Sequence, residues 1–196
     1  EESFNYIEAY FTNTDSRGLS ILPVHRLVKL DSPMDTKNLL ISIGEYFNVE
    51  EVKEKTRFFF LMEKGGRTEH LLGMYKDKKY WLLRLKNIKI LDKAISDEPK
   101  VCRLLDISVL NQIILKKVLG VGLEEKDNIC FSHNADEFIE AADNNPLYIA
   151  FFLNPLKIQQ VISVALDGER LPSKSTYFYP KVISGLVINK FNEDKS

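Results

Sequence analysis

The sequence predicts an α+β fold: a mixed sheet with hairpins in the first half and helix–strand alternation in the second. Three observations carry that expectation. Near the start, aromatic and alternating runs are separated by polar turn residues, at 13–18 and again at Lys76-Asp77-Lys78. Past residue 100 a helical period takes over, with Ile107, Leu110, Ile114 and Val118 on one face. Apolar runs of strand length, such as residues 147–153, then alternate with helical stretches.

Taken in order, residues 4–12 read as a strand and 13–18 as a turn. Residues 19–30 resume an extended pattern broken by Pro23, so a first hairpin is expected. Asp35 can cap a helix running to about Tyr46, with Leu39, Leu40, Ile43 and Phe47 on one face. Residues 56–62 fit either a strand or a short buried helix. A second hairpin is expected from 70–75 and 79–86. Residues 93–100 are polar, contain Pro99 and make the best candidate for an internal boundary of an otherwise single domain. Asp106 is read as the cap of an amphipathic helix that Gly120 closes. A strand at 129–132, a helix at 135–142 and a strand at 147–153 follow. Asn154-Pro155 starts a helix ending near Gly168, and residues 182–189 read as a last strand. That alternation permits parallel crossovers.

Composition limits the function classes. A chain of 196 residues supports one substantial core or two small ones. With 44% hydrophobic and 28% charged residues it has the balance of a soluble globular protein. A net charge of −1 argues against a broad grip on nucleic acid, yet leaves room for a small basic pocket holding one anionic metabolite. The longest apolar runs are about six residues against the roughly 20 of a membrane helix, so no membrane partner is expected. Glu1 and Glu2 open the chain where a signal peptide would be basic. Cys102 and Cys130 lie far apart among apolar neighbours, as buried thiols of a cytoplasmic protein would. His25, His70 and His133 lack the close spacing common in zinc sites, so no metal ligands are assigned. His70 and His133 read as surface or edge residues. The oligomeric state stays open.

Three short patterns fail on their surroundings. Lys174-Ser175 matches the end of a phosphate-binding loop, but no glycine-rich stretch precedes it. Tyr177 and Lys181 have a dehydrogenase-like spacing, but Pro180 lies inside the helix that spacing would need. Gly120-Val121-Gly122 is better read as a helix stop. Charged runs such as Glu124-Glu125-Lys126-Asp127 read as solvated turns.

Two stretches carry chemistry. Leu22-Pro23-Val24-His25-Arg26 puts a titratable imidazole beside a planar fork of donors, a pair suited to a carboxylate or phosphate. The bland alternative is an arginine paired to a neighbouring acid. Residues 171–181 hold Ser173, Lys174, Ser175, Thr176, Tyr177 and Lys181 between two prolines, with no acid from 171 through 190. Prolines at both ends lower the entropy lost on gripping a ligand. Each hydrogen bond to a charged group contributes roughly 1.5–3 kcal/mol where solvent is excluded. Here the bland alternative is an ordered loop whose aromatics are packing. A general acid or base is not assignable from these residues.

These same stretches resemble the domain-of-unknown-function 1015 family: the Leu-Pro-x-His-Arg element at 22–26, and Pro-x-Lys-Ser-Thr-Tyr-Phe-Tyr-Pro-Lys at 172–181 followed by Ser184-Gly185-Leu186. Members usually carry an upstream Asp-Gly-His-His-Arg element, absent here, so the resemblance implies the C-terminal part of a larger protein whose missing half is a partner. That signature is similar to one in ParB/sulfiredoxin-like nucleotide-using proteins, some of which phosphorylate free serine. The resemblance therefore implies a phosphotransferase acting on a small amino-acid metabolite. ATP and Mg²⁺ would act in the full-length protein, and no cofactor is implied for this chain. His25, Arg26, Lys174 and Lys181 would then clamp phosphate or carboxylate, with the hydroxyl cluster orienting the acceptor. A ligand-binding or regulatory module, or a purely structural half, is the alternative.

Overall fold

Pro23 lacks the N–H that a strand ladder needs, so the extended run after Gly18 breaks into β1 (Ser20–Leu22) and β2 (His25–Lys29). The computed structural model describes residues 8–14, 18–122 and 128–188. α1 (Thr36–Gly44) begins where expected, because the Asp35 carboxylate accepts from the Asn38 N–H at 3.3 Å. It buries Leu39 and Ile43. β3 (Phe47–Val52) follows. The ambiguous aromatic run is helical: α2 (Lys55–Gly65) buries Phe58 and Met62, four residues apart on one face.

β4 (Leu71–Lys76) and β5 (Lys79–Leu85) form the second hairpin. Asp77 and Lys78, at φ 51° and 60°, give the two-residue turn its left-handed geometry. Gly73 lets α2 pack closely on the hairpin, since a Cβ there would run into the Phe58 ring. The polar stretch after β5 holds two short helices, α3 (Lys89–Ala94) and α4 (Lys100–Arg103).

The long amphipathic run begins as α5 (Asp106–Val109) and widens into a π-helical segment (Leu110–Val118). Leu105 precedes it at the cap position, not Asp106, whose carboxylate is turned to His70 instead. Gly120 (φ 70°) ends it as predicted. β6 (Ile129–Ser132), α6 (Ala135–Asn144) and β7 (Tyr148–Phe152) then follow close to expectation. α7 (Ile158–Leu166) starts later than Asn154-Pro155 suggests, at a turn where the Gln160 side chain accepts from the Lys157 N–H at 2.9 Å. The last strand is β8 (Tyr177–Tyr179).

The six-stranded sheet has the order β3-β5-β4-β7-β2-β6. Each of its ladders is antiparallel, so the fold is α+β as predicted, but the sheet is antiparallel where a mixed one was expected. The helices between strands cover the sheet without making parallel crossovers. On one face α1, the α5–π run and α7 bury Val28, Met74 and Phe151. On the other, α2 and α6 bury Leu27, Leu82 and Phe152. Burying both faces explains why β4 and β7 are mostly apolar, whereas β2 keeps His25 and Arg26 among its buried residues.

β1 and β8 form a separate two-stranded ribbon, in place of the first hairpin expected from 4–12 and 19–30. Residues 8–12 are not in a strand, and 4–7 lie outside the described residues. Residues 182–188 are turn and irregular structure where a last strand was expected. Glu124 to Asp127 also fall outside the described residues. The chain divides into two units, 21–177 and the terminal stretches 1–20 with 178–196. The segment at 93–100 lies inside the larger unit. Among the described residues no helix is long and apolar enough to cross a membrane. Cys102 is buried as expected, but Cys130 is exposed, because β6 is an edge strand.

Candidate functional site

Consecutive residues of a strand point to opposite faces, and β2 applies that rule to His25 and Arg26. Arg26 lies opposite Phe131 of β6 and Phe151 of β7, on the face covered by the π-helical segment. His25 lies opposite Ser132 and meets the Phe152 ring edge-on, on the other face. The structure therefore does not bring the two side chains into one pocket.

Arg26 does meet the predicted loop. One guanidinium nitrogen donates to the Val24 carbonyl, and Nη2 donates to the Lys174 carbonyl at 2.9 Å. The group sits 5.2 Å over the Phe131 ring. Arg26 is 1% exposed, and its Nε has no hydrogen-bond partner. Among the described residues no carboxylate forms an ion pair with it. Burial alone lowers its pKa to about 10. A cavity of about 720 Å³ opens beside it, within the range of small-molecule sites. Three cations (Arg26, Arg170 and Lys174) line that cavity against one acid, Glu98, with Ser173 and Asn111 among the neutral groups. Asn111 is itself buried, and its Oδ1 is unpartnered. Glu98 accepts from the Gln112 side chain at 2.7 Å, and three cations against this one acid leave positive charge in excess.

Lys174 takes φ 57°, a left-handed turn residue, and this tips its carbonyl toward Arg26. Ser173 and Lys174 are exposed on the cavity rim. The Ser175 hydroxyl donates to the Pro172 carbonyl and closes the turn. Ser175 also lines a second, smaller cleft on the same unit. Thr176 is half-buried, and the Tyr177 ring stacks on His133 at 4.8 Å. Lys181 belongs to the terminal unit, where it lines a separate cavity with Tyr10 and Phe178.

His25 is 5% exposed and closed in. Its Nδ1 accepts from the Leu153 N–H at 3.3 Å. Burial, then Arg26, then His133 lower its pKa to about 4, so it is neutral near pH 7. An imidazole held neutral and away from both cavities acts as packing and as a backbone acceptor.

Sequence reading missed four groups that line the cavities. Arg170 and Asn111 join Arg26 only through tertiary packing. His70 and Asp106, 36 residues apart, meet at 2.8 Å in the smaller cleft, and no spacing rule links them. By sequence His70 reads as a surface or edge residue. Its position just before a strand says nothing about the acid opposite. Among the described residues no group of three or more His, Cys, Asp or Glu side chains is placed to hold a metal ion.

The sequence model of the family described as Protein of unknown function (DUF1015) matches residues 1–108. That is more than half of the 196 residues, and the chain belongs to this family. The match contains the Leu22–Arg26 element and stops before the loop at 171–181. No curated protein matches the chain. Among solved structures, it is similar to a free serine kinase in complex with AMP, at 11% identity and a TM-score of 0.46. That likeness covers 85% of this chain and 56% of the other. It is also similar to a conserved hypothetical protein from Pyrococcus furiosus, at 10% identity and a TM-score of 0.45, covering 85% and 59%. The chain thus spans less than two thirds of the length of these solved relatives.

Proposed function

We propose that this family member supplies the anion-binding pocket of a small-molecule phosphotransferase whose acceptor is an amino-acid metabolite. Free serine is the acceptor that the family resemblance suggests. One observation carries the reading: a fully buried guanidinium with no acid in ion-pair contact, beside a cavity lined by two further cations and a single acid, Glu98. An uncompensated buried charge is costly, and an anion in the cavity would offset that cost.

Phosphoryl transfer depends mainly on positioning and charge neutralisation. Lys174 and Arg170 would meet phosphate or carboxylate oxygens directly, and the Ser173 hydroxyl would donate to one of them. Arg26 would act from behind, fixing the Lys174 carbonyl and adding its field. The residues fit a nucleotide's phosphate oxygens on the strength of Arg26's orphaned Nε and the two rim cations. They do not fit Mg²⁺: Glu98 is the one carboxylate among the cavity's lining residues. No step assigned to this chain runs through a metal. His25 and Lys181 are left out of the pocket.

A structural reading is favoured by a different observation, that Arg26 spends two donors on backbone carbonyls. One experiment separates the two. In the full-length protein with ATP or ADP, Mg²⁺ and free serine, Arg170→Ala with Lys174→Ala should cut phosphoserine formation by at least about 100-fold, from two charged hydrogen bonds. The melting temperature should hardly move, because both side chains are exposed. Activity that falls only in step with the folded fraction would establish the structural reading instead.

A further inference from the structure

The smaller cleft holds a second polar constellation, independent of the cationic cavity. Its walls come from the turn after α2, the start of α5, the β7–α7 connection and Ser175. Its volume is about 200 Å³, room for about six or seven water-sized groups. Inside it, His70 Nδ1 lies 2.8 Å from Asp106 Oδ1. A carboxylate can only accept here, so Nδ1 carries the proton and Nε2 is the lone-pair nitrogen of the neutral ring. Nε2 has no hydrogen-bond partner among the described residues, and the His70 side chain is 24% exposed.

Two further donors belong to residues that line the cleft. Asn154 lines the cleft, and its Nδ2 is buried with no partner. The amide lies so close to Gly66 that a Cβ there would collide with it, so the glycine makes room for the side chain. Lys157 lines the cleft too, its Nζ donating to the Arg67 carbonyl at 3.0 Å. A buried orphan donor beside an ammonium suits a carboxylate. A lone-pair nitrogen backed by a carboxylate suits a hydroxyl.

We propose that this cleft binds a small hydroxy acid, its carboxylate held by Lys157 and Asn154 and its hydroxyl donating to Nε2 of His70. Asp106 is the positioning residue that fixes the ring and its tautomer. The charged groups around His70 are Asp106 from α5, Arg67 and Glu69 from the turn after α2, and Lys157 from the β7–α7 connection. Glu69 is engaged by Arg84 at 3.2 Å and Arg67 by Glu63 at 2.7 Å, which leaves Asp106 to act on the ring and Lys157 to act on Asp106.

The test is a proton NMR titration of the whole chain with glycolate, acetate and inorganic phosphate. The His70 ring signal is assigned by its loss in His70→Gln. Both acids should shift that signal saturably. Glycolate should bind about five-fold tighter than acetate where His70 is neutral, the worth of one added hydrogen bond. Where His70 is protonated, Nε2–H donates to the hydroxyl oxygen instead, so the hydrogen bond persists with its direction reversed. Asn154→Ala should weaken both acids alike, and Asp106→Asn should erase the glycolate preference. Equal affinity for the two acids at every pH overturns the proposal, as does no saturable shift or a response to phosphate alone. The glycolate–acetate comparison needs no variant, so a misfolded Asp106→Asn leaves it decisive. Because Arg26, Arg170 and Lys174 take no part, failure here leaves the anion-pocket reading standing, and the reverse also holds.

Discussion

His25 and Arg26 are neighbours on β2, both buried and pointing to opposite faces of the sheet, and they meet the cost of burial in different ways. The imidazole sheds its proton: its pKa falls to about 4 and it serves the Leu153 N–H as a neutral acceptor. The guanidinium cannot do so near neutrality, since even after burial its pKa stays at about 10. One face of the sheet therefore closes over a neutral ring. The other keeps a permanent charge beside a cavity. The contrast shows which of two buried basic residues is compatible with a packed core and which calls for a counter-ion.

The largest effect expected from this contrast is an acid-side loss of stability due to His25. Its folded pKa, about 4, lies below the ordinary 6.5 of an unfolded histidine. Between those values the unfolded chain binds a proton that the folded chain does not, so stability is kept above pH 6.5 and lost as pH falls toward 4. The loss is about 3 kcal/mol over the window. His70 has a raised pKa, chiefly through its hydrogen bond to Asp106, and works in the opposite sense. Its contribution is present below about 6.5 and fades as pH rises through the folded value. His25→Asn keeps an acceptor for Leu153 but does not titrate. Urea unfolding of both proteins from pH 7 to about 4 should show the variant's curve flatter by roughly that amount. Parallel curves would mean that His25 is charged in the fold and that the contrast with Arg26 is false.

The second effect concerns Arg26. If an anion relieves its burial, saturating phosphate should stabilise the chain by about 2.7 kcal/mol at a hundred times its Kd. Arg26→Met fills similar volume without the charge, and replacing an uncompensated ion by an apolar side chain is often neutral or better for stability. The variant should keep its melting temperature to within a few degrees and lose most of the phosphate-dependent rise. It should also raise the His25 pKa, since Arg26 is the second cause of that depression. A variant that melts far lower, with the phosphate response intact, would make Arg26 a clamp for the loop and nothing more.

Much of the fold was legible because local signals agreed with one another. Asp35 caps α1, Gly120 ends the π-helical segment, and the hairpin sits on the left-handed pair Asp77–Lys78. The opening stretch is not a strand because alternating aromatics do not tell a ladder from an irregular exposed stretch: Tyr10 and Phe11 lie 70% and 91% exposed. Strand direction was open because helix–strand alternation is compatible with either crossover or antiparallel return. In the candidate site, the meeting of Arg26 with Lys174 followed from two stretches singled out for their chemistry. The placing of His25 did not, although strand alternation alone forbids adjacent β2 residues from sharing a face. Arg170, Asn111 and the His70–Asp106 pair depend on contacts far apart in sequence, which composition and spacing do not encode.

The smallest effect links the two faces. His133 stacks on Tyr177, just past the loop that Arg26 pins, and it is also the third cause of the low His25 pKa. A ring pair of this kind contributes about 0.5–1.5 kcal/mol, and this one is only part-buried, which places it at the lower end. His133→Ala should therefore cost about 0.5 kcal/mol at pH 7. It should also shorten the acid-side window by raising the His25 pKa slightly, so the variant loses less between pH 6.5 and 4 than the wild-type chain does. The two consequences have opposite signs, and the stability difference between the two proteins should narrow as pH falls. His133→Phe keeps a ring to stack on Tyr177 but removes the imidazole that acts on His25, so it should show the pH effect without the loss at pH 7. If both variants run parallel to wild type at every pH, His133 does not reach His25, and the low His25 pKa must come from burial and Arg26 alone.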